Sequence, residues 1–377
     1  MSKTLQDYAT LINDTIQSNE INHYITTDNM CQNLGGIDTF KNINIPQGKV
    51  RSFQKDDILL SNIRLYFRKV YRAKQKGGCS SDVLVFRAKH IDSTTLFAIL
   101  SSQIFTDYAC SGSQGSKMPR GNKTHMMDFK IPTINFTIAK IFNSIQNKIE
   151  NNHKINELLH KILELLYEQY FVRFDFLDEN NKPYQTSGGK MKFSKELNRL
   201  IPSGWSVRFL NHKIVSIYQP KTISKTLLND SYSYSVYGGG GIIGRFTEYN
   251  HEQSEFIISC RGQCGISYLT LPKSWITGNA MVIRPTKSYT SKTYLYHTIK
   301  KYKLTNYITG SVQPQITRQN LSTMPILIPK RKTLNKWNNI SSLLWNLIHN
   351  NMQSTQTLTA LRDFLLPLLL KQQVKPQ

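Results

Sequence analysis

The chain has 377 residues, of which 39% are hydrophobic and 11% aromatic, which is enough apolar material for packed cores. Lysine and arginine number 48 against 24 acidic residues, so the formal net charge is +24 at pH 7. A balance this basic excludes an ordinary near-neutral enzyme as the default and favours a polyanionic partner, either nucleic acid or a membrane surface.

A membrane partner is not supported by the apolar patterning. No window approaches the roughly 18 uninterrupted apolar residues of a spanning helix, and the longest apolar stretch, residues 364–370, contains Pro367. The first 17 residues carry Asp7 and Asp14 without an apolar core, so no secretory signal is predicted. We therefore expect no membrane contact and a cytoplasmic, nucleoid-associated bacterial protein.

The five cysteines are scattered and odd in number, which is typical of a reducing compartment without a disulfide framework. Cys260 and Cys264 have a spacing that would suit half of a zinc site, but no second pair of ligands follows. Buried or incidental thiols are the favoured interpretation, and no metal is expected on the chain.

In chain order, strand-rich globular segments alternate with long helices. Short β-branched and apolar runs such as ILLS, VLVF, FIIS and AMVI, bounded by Gly, Pro and polar turns, predict the strands. A stretch rich in Pro, Gly, Ser and Lys predicts a surface linker. The predicted parts are a first domain over 1–135, a helix over 136–173, the linker over 174–204, a second domain over 205–332, a second helix over 333–371 and a tail over 372–377.

Both predicted helices carry apolar residues at the alternating spacing of three and four that is typical of a coiled-coil seam. The predicted seam includes Ile145, Asn152, Leu159 and Ile162 in the first helix and Leu344, Asn351, Leu358 and Leu361 in the second. The seam asparagines are expected to fix the register at some cost in stability. Antiparallel packing of the two helices is favoured over two unrelated core helices.

The chain repeats itself internally. The two helices align without gaps at an offset of 199, so that Asn152 falls on Asn351. The preceding segments repeat at offsets of 197 to 205, with DDILLS matching EFIIS, SSDVLVFR matching TGNAMVIR, LQDYATLI matching LNHKIVSI, and Gly35-Gly36 matching Gly240-Gly241. The predicted fold class is α+β, with two strand-rich domains separated by two long antiparallel helices and related by an internal pseudo-two-fold repeat.

The excess charge lies outside the helices. Over residues 138–172 the first helix is neutral, with four lysines and four glutamates, and over residues 334–371 the second carries +2. The remaining +22 belongs to the globular segments, the linker and the tail, which we therefore expect to face nucleic acid.

Catalytic signatures are absent from the sequence. It has no GxxxxGK[ST] phosphate loop, no HExxH metal motif and no Pro-Pro-aromatic motif of amino-methyltransferases. The glycine-rich YGGGGIIG at 237–244 is compatible with a nucleotide loop, a structural turn, or a tight loop that approaches DNA or a partner backbone, and the last is favoured. No catalytic residue is predicted.

Two loops at matching places, 112–123 and 310–320, mix Gly, Gln, Asn and Arg. Arg reads guanine, Asn and Gln read adenine, and Lys contacts phosphate, although the same composition also occurs in solvated loops. The candidate DNA-binding residues, including two neighbouring basic segments, are Arg64, Arg68, Lys69, Lys117, Arg120, Asn122, Lys123, Arg245, Arg261, Gln263, Gln313, Gln315, Arg318, Gln319 and Asn320.

Taken together, these motifs resemble the specificity subunit of type I restriction–modification systems over about residues 1–371. The resemblance is carried by DDILLSNIRLYFRKV, GGCSSDVLVFR and SKMPRGN in the first copy and by FDFLDENNKPYQTSGGKM and IPSGW in the connection. In the second copy it is carried by YGGGGIIG, SCRGQCG and TGSVQPQITRQNLSTMPILIP.

The resemblance implies two target-recognition domains, each of which reads one half of a bipartite, asymmetric DNA sequence. It implies that the helices dock two methyltransferase (modification) subunits, which bind S-adenosylmethionine, with restriction subunits, which use ATP and Mg, outside them. The chain itself would carry no cofactor and would not be catalytic. A helix of 35 residues spans roughly 50 Å, long enough to hold apart half-sites about one DNA turn, ~34 Å, distant.

Two other functions remain open from the residues alone. One is a stand-alone DNA-modifying enzyme, a methyltransferase or nuclease with an unrecognised site. The other is a nonspecific nucleic-acid-binding scaffold, whose binding would depend steeply on salt but not on sequence.

Overall fold

The computed structural model describes residues 3–39, 41, 43–131, 134–229, 232–262, 264–286, 288, 290–310 and 313–369. The chain divides into two compact units, which we call unit 1 (Met1–Ile155 with Asn351–Gln377) and unit 2 (Asn156–Asn350). The predicted tail over 372–377 lies outside the described residues. Among the helices of the described part, none is long and apolar enough to cross a membrane.

Unit 1 is built on two four-stranded sheets. The first is antiparallel, with the strands in the order Ala9–Ile12, Val83–Ala88, Ile58–Ser61 and Val70–Arg72. The second has the order Thr15–Gln17, Lys49–Phe53, Gly77–Cys79 and Tyr24–Ile25, and its last pair is parallel. The shorter helices are Leu5–Tyr8, Ser93–Ser101, Gln103–Ser111 and Lys123–Met127, with 3-10 turns at Ser18–Glu20, Leu65–Phe67 and Leu366–Leu369.

Alternate residues of the central strand Ile58–Ser61 enter two different cores, as the two-residue period of a strand requires. Ile58 and Leu60 pack with the helix Ser93–Ser101 in one core. Leu59 packs with residues of the second sheet in the other. Because both faces are covered, the strand is apolar throughout, which explains why the run ILLS lacks a polar face.

Unit 2 repeats this architecture. Its four-stranded antiparallel sheet has the order Val215–Tyr218, Ala280–Pro285, Phe256–Ser259 and Ser267–Leu269, the same order as the matching segments of unit 1. A three-stranded sheet has the order Gly241–Phe246, Tyr234–Gly238 and Trp275–Ile276. Two-stranded sheets pair Met191–Ser194 with Arg199–Pro202, Ser206–Phe209 with Pro325–Ile328, and Ile308–Thr309 with Gln315–Ile316. Helices span Lys292–Lys300 and Arg318–Ser322, with 3-10 turns at Lys225–Leu227 and Leu304–Tyr307. The predicted α+β fold and internal repeat are confirmed.

The repeat extends to one ion pair in each four-stranded sheet. Asp57 Oδ1 accepts from Arg87 Nε at 2.8 Å in unit 1, and Glu255 Oε1 accepts from Arg284 Nη2 at 2.6 Å in unit 2. Both carboxylates are buried, so each needs its guanidinium to offset the loss of hydration. The offsets between the paired positions are 198 and 197, the same as in the strands that carry them.

The two long helices are Phe136–Tyr167, extended by a π-helical turn at Glu168–Val172, and Arg331–Leu365, which ends two residues before Pro367. We call them the central and the distal helix. In unit 1, Asn152 Nδ2 donates to Thr355 Oγ1 at 3.1 Å, and Arg362 donates to Gln146. In unit 2, ring contacts pair His160 with Trp345 and Tyr167 with Trp337. In both units, rising residue numbers on the central helix meet falling numbers on the distal helix. The two helices are therefore paired antiparallel within each unit.

The seam follows the prediction only in the first half of the central helix. Ile145 and Asn152 are buried there, but beyond Asn152 the buried positions move by one residue, so Leu163 is buried while Ile162 is 44% exposed. In the distal helix Arg362 is buried and Leu361 is 45% exposed. The assignments of Ile162 and Leu361 to the seam were wrong because a straight helix has 3.6 residues per turn and drifts from a strict heptad. Among the other predicted seam residues, Leu159, Leu344, Asn351 and Leu358 are half-buried.

The segment predicted as a surface linker, 174–204, is folded in unit 2. Phe174 and Phe176 are buried against Trp205, with ring centroids 5.5 and 5.2 Å away. Gly189 is required where it stands, because a Cβ there would lie 2.5 Å from the Tyr184 ring. The Pro, Gly, Ser and Lys content belongs to the outer turns of this segment, and its few aromatic residues form the core that composition does not reveal.

Candidate nucleic-acid interface

In unit 1 the two predicted basic loops are joined by backbone contacts. An isolated antiparallel bridge links Ile63 to Arg120, and the Arg64 amide donates to the Pro119 carbonyl at 2.9 Å. Gly121 N donates in turn to the Asn62 carbonyl at 3.1 Å. We call the pair, residues 62–69 and 112–123, the bridged loops of unit 1.

Unit 2 has an equivalent bridge. Arg261 pairs with Gln315, and the Ile316 amide donates to the Cys260 carbonyl at 3.1 Å. We call residues 260–266 and 308–318, as far as the structure describes them, the bridged loops of unit 2. Positions 63 and 261 differ by 198 and positions 120 and 315 by 195, so the same joint recurs in both copies of the repeat.

The glycine-rich segment 237–244 lies beside the bridged loops of unit 2. It forms the turn of the hairpin between Tyr234–Gly238 and Gly241–Phe246. A Cβ on Gly239 would lie 2.7 Å from the Arg261 carbonyl oxygen, whereas Gly240 faces open space. The close backbone approach is thus made to the chain's own loop. Gly35-Gly36 lie instead in a turn beside Glu150, so this one motif pair is not structurally equivalent.

Most of the candidate residues of unit 1 are accessible. Lys117, Arg120 and Lys123 are exposed, and the Arg120 guanidinium lies 2.9 Å from Asp82. Asn122 is exposed as well, but its Oδ1 accepts from the His125 amide and caps the helix Lys123–Met127. The half-buried Arg64 donates to the Lys117 carbonyl at 3.3 Å.

Arg68 and Lys69 are engaged within the fold. Arg68 Nη2 donates to the Ser101 carbonyl at 3.0 Å and lies 3.9 Å from Asp363, and burial lowers the pKa of its guanidinium. Lys69 Nζ donates to the Thr27 carbonyl at 2.5 Å, and burial lowers the pKa of its ammonium. These contacts hold the loop against the body of unit 1, and a DNA contact by either half-buried side chain stays a prediction.

In unit 2 the exposed candidates are Arg261, Gln313, Gln315, Arg318 and Gln319. Asn320 is structural, since its Nδ2 donates to the Tyr307 carbonyl at 3.0 Å and its Oδ1 accepts from Thr317. Arg245 donates to the carbonyls of Tyr232 and Ser233. Gln263 lies outside the described residues.

Sequence reasoning missed two exposed apolar side chains in the bridged loops of unit 1. Tyr66 is 53% exposed and Met118 is 54% exposed. The signal was present in the string RLYFRK, where an aromatic residue is set among basic ones, but the pattern does not say which of the two neighbouring aromatic residues points outward.

The cysteines and acidic residues form no metal cluster in the described part of the chain. The Cys260 thiol is buried, accepts a hydrogen bond from Gln219 and has a pKa raised by burial. Cys264 Sγ donates to the Pro314 carbonyl at 3.1 Å. Both thiols therefore make contacts within unit 2.

Comparison with known proteins agrees with this geometry. A family model described as the type I restriction modification DNA specificity domain matches residues 202–361. The type I restriction enzyme MjaIX specificity subunit of Methanocaldococcus jannaschii is 22% identical over 312 residues, which cover 73% of this chain and 67% of that protein.

Among solved structures, the type-I restriction-modification system S subunit from M. genitalium superposes with a TM-score of 0.63 at 15% identity, over 98% of this chain and 96% of that one. This likeness shows a common fold. Residues 202–361 thus match the type I restriction modification DNA specificity domain, and the chain as a whole has the same fold as an S subunit of such a system.

Proposed function

We propose that the chain is the DNA sequence-recognition subunit of a type I restriction–modification complex and that each unit reads one half of a bipartite, asymmetric target. The observation that carries this proposal is the recurrence of the bridged loops. Each unit presents arginine and glutamine or asparagine side chains on two joined loops, and these are the residue types that read base edges. Two copies of one site on one chain suit two half-sites.

The partners are proposed from the long helices. Each carries exposed large apolar side chains in addition to its buried face, which is typical of a surface that another protein covers. In the central helix these are Ile141, Ile155, Leu158, Ile162 and Leu165, and in the distal helix Ile340, Leu343, Leu347, Leu361 and Phe364. We propose that two modification subunits dock there and that restriction subunits join the complex.

Catalysis is proposed to reside in the partners. Methyl transfer would use S-adenosylmethionine on the modification subunits, and ATP with Mg would serve the restriction subunits. A cytoplasmic, nucleoid-associated site of action follows from the proposed partner, chromosomal DNA.

Single substitutions in equivalent loops test the division of labour. Arg120→Ala in unit 1 and Arg318→Ala in unit 2 should each relax recognition in one half of the target, because each removes an exposed guanidinium from one unit only. Each loss should amount to about 1–3 kcal/mol of discrimination. Single-molecule mapping of methylated sites in cells that express each variant with its modification subunits would measure it.

If both substitutions relax the same half, the assignment of one half to each unit is wrong. If the wild-type complex methylates without any bipartite motif, the recognition function itself fails, and equal binding to all sequences would favour the nonspecific scaffold. Methyl transfer or cleavage by the isolated chain would favour the stand-alone enzyme. Lys225→Ala, in a 3-10 turn outside the bridged loops, is a matched control that should keep the wild-type motif.

Shortening the helices tests whether they set the spacer. The central helix, with 32 residues, and the distal helix, with 35, are each roughly 50 Å long at 1.5 Å per residue. Deleting seven residues from each helix keeps the apolar side chains on nearly the same face. The deletion should change the length of the spacer between the half-sites and leave both half-sites unchanged. Methylation mapping reads both quantities at once, and an altered half-site with a constant spacer would contradict the proposal.

A further inference from the structure

One short segment of unit 1 has unusual backbone geometry. Arg64 and Arg68 both adopt the left-handed conformation, with φ of 51° and 49°, and they flank the 3-10 turn Leu65–Phe67. A side chain at such a φ is sterically disfavoured, because its Cβ crowds the backbone. Two such residues within five positions hold the turn in a shape that an unconstrained loop would not adopt.

The matching segment of unit 2 has glycine at both left-handed positions. Gly262 follows the bridge residue Arg261, as Arg64 follows Ile63, and has a φ of 75°. Gly265 stands two residues before the next strand and has a φ of 88°. Glycine adopts these angles without steric cost, so the fold accepts glycine at both places, and the arginines of unit 1 are there for what their side chains do.

Both arginine side chains secure the turn. Arg68 donates to the Ser101 carbonyl, and Arg64 donates to the Lys117 carbonyl and thereby fixes the second loop beside the first. Leu65 is buried beneath them, and a Cβ on Gly121 would lie 2.8 Å from Leu65 Cδ1. The turn is therefore held by the buried Leu65 and by the two arginine side chains that flank it.

What the anchored turn presents is Tyr66. Its side chain is 53% exposed, and its ring meets Phe67 edge-on at 4.7 Å. Met118, 54% exposed, directly follows Lys117, whose carbonyl Arg64 holds. Exposure of two large apolar side chains to water is unfavourable. Because the strained turn Leu65–Phe67 keeps Tyr66 exposed, we expect a partner to cover both side chains.

The charge around these groups identifies the partner. The bridged loops of unit 1 contain six basic residues and no acidic one, and three of the six, Lys117, Arg120 and Lys123, are exposed. A polyanion is the partner that such surroundings attract. Apolar side chains among phosphate-binding residues contact base edges in a DNA groove, thymine methyl groups included.

Resting on the proposed function, we infer that Tyr66, together with Met118 on the joined loop, contacts base edges in the half-site read by unit 1 and helps to determine its sequence. The corresponding loop of unit 2 reads RGQCG and contains no aromatic residue. Two residues separate its glycines, whereas three separate Arg64 from Arg68 in unit 1. The aromatic contact of Tyr66 therefore has no counterpart in this loop of unit 2.

The test uses the full chain in complex with its modification subunits. Methylation mapping first gives the wild-type target, and labelled 40-base-pair duplexes then carry that target intact or with either half scrambled. Tyr66→Ala should bind the intact duplex about tenfold more weakly, and its penalty for scrambling one half should shrink by about the same factor. That half should be the one altered by Arg120→Ala, while Tyr66→Phe should bind as the wild type does.

Phe193→Ala provides the matched control, because Phe193 is 59% exposed on a hairpin outside the bridged loops, and it should leave DNA binding unchanged. Unchanged affinity of Tyr66→Ala, or an equal loss on a duplex without the target, would overturn the inference while leaving the recognition function intact. If the wild-type complex does not discriminate against either scrambled half, the proposed function itself has failed.

Discussion

Replacing Trp337 with alanine is expected to lower the free energy of unfolding of unit 2 by about 3–5 kcal/mol, the usual cost of truncating a large buried aromatic side chain. Trp337 is 1% exposed and meets the rings of Tyr167, Phe171 and His297 edge-on, with centroids 5.4 to 5.8 Å away. Because it joins the distal helix to the central helix and to the helix Lys292–Lys300, the cavity would affect three elements of unit 2 at once.

The chain offers a selective probe for this measurement. All four tryptophans, Trp205, Trp275, Trp337 and Trp345, belong to unit 2, so tryptophan fluorescence during urea unfolding reports on that unit. Circular dichroism follows both units together. Leu343→Ala is a matched control, since Leu343 lies on the same helix within unit 2 but is 61% exposed and should change stability by less than about 0.5 kcal/mol. A similar small effect for Trp337→Ala would show that the ring cluster does not stabilise unit 2.

The internal repeat could be recognised from sequence because it compares the chain with itself. Strands such as Ile58–Ser61 and Phe256–Ser259 occupy the same place in their sheets, and the offset of 198 found in the letters also relates the ion-paired Asp57 and Glu255. Two copies that fold in the same way must bury equivalent positions, so similar residues recur at those positions in the sequence. The repeat can therefore be recognised without secondary-structure propensities.

Features set by tertiary packing could not be obtained in this way. The assignment of Ile162 to the seam assumed a strict heptad, whereas the buried face drifts with the natural pitch of the helix and reaches Leu163. The segment 174–204 was interpreted from its polar turns, although Phe174 and Phe176 bury against Trp205. In both places a few buried side chains determine the structure and the average composition does not.

The candidate site shows the same division. Composition located the basic loops in both units, and the structure joins them through equivalent bridges. Composition could not separate the exposed Lys117 from Lys69, whose ammonium donates to a carbonyl within the fold. It also gave no sign that Arg64 and Arg68 have left-handed backbones, because that conformation is typical of glycine and asparagine.

Acidification is expected to destabilise unit 2 through two histidines, the buried His297 and the half-buried His349. His297 is 3% exposed and stacks on Tyr167 with a centroid distance of 5.6 Å, and its Nε2 finds no hydrogen-bond partner within the described part of the chain. Burial, reinforced by the neighbouring Lys300, lowers its pKa from 6.5 to about 3. Burial, with Lys292 nearby, lowers the pKa of His349 to about 4. Both imidazoles are therefore neutral in the folded chain at pH values where they would be protonated in the unfolded one.

The sign of the effect follows from proton uptake. Well above pH 6.5 neither state binds these protons, and the full stability is present. As the pH falls through 6.5 the unfolded chain takes them up, and stability is lost down to pH 4 for His349 and pH 3 for His297. Each histidine contributes at most about 1.4 kcal/mol per pH unit, and less close to pH 6.5, so the free energy of unfolding should fall by about 3 kcal/mol between pH 6.5 and 5. Urea unfolding followed by tryptophan fluorescence at several pH values measures this slope.

His297→Phe should remove about half of this pH dependence, because phenylalanine keeps a ring in place and cannot be protonated. His212→Gln, which changes an exposed histidine of the same unit, should leave the pH dependence unchanged. An unaltered slope in His297→Phe would mean that the acid sensitivity of unit 2 arises elsewhere.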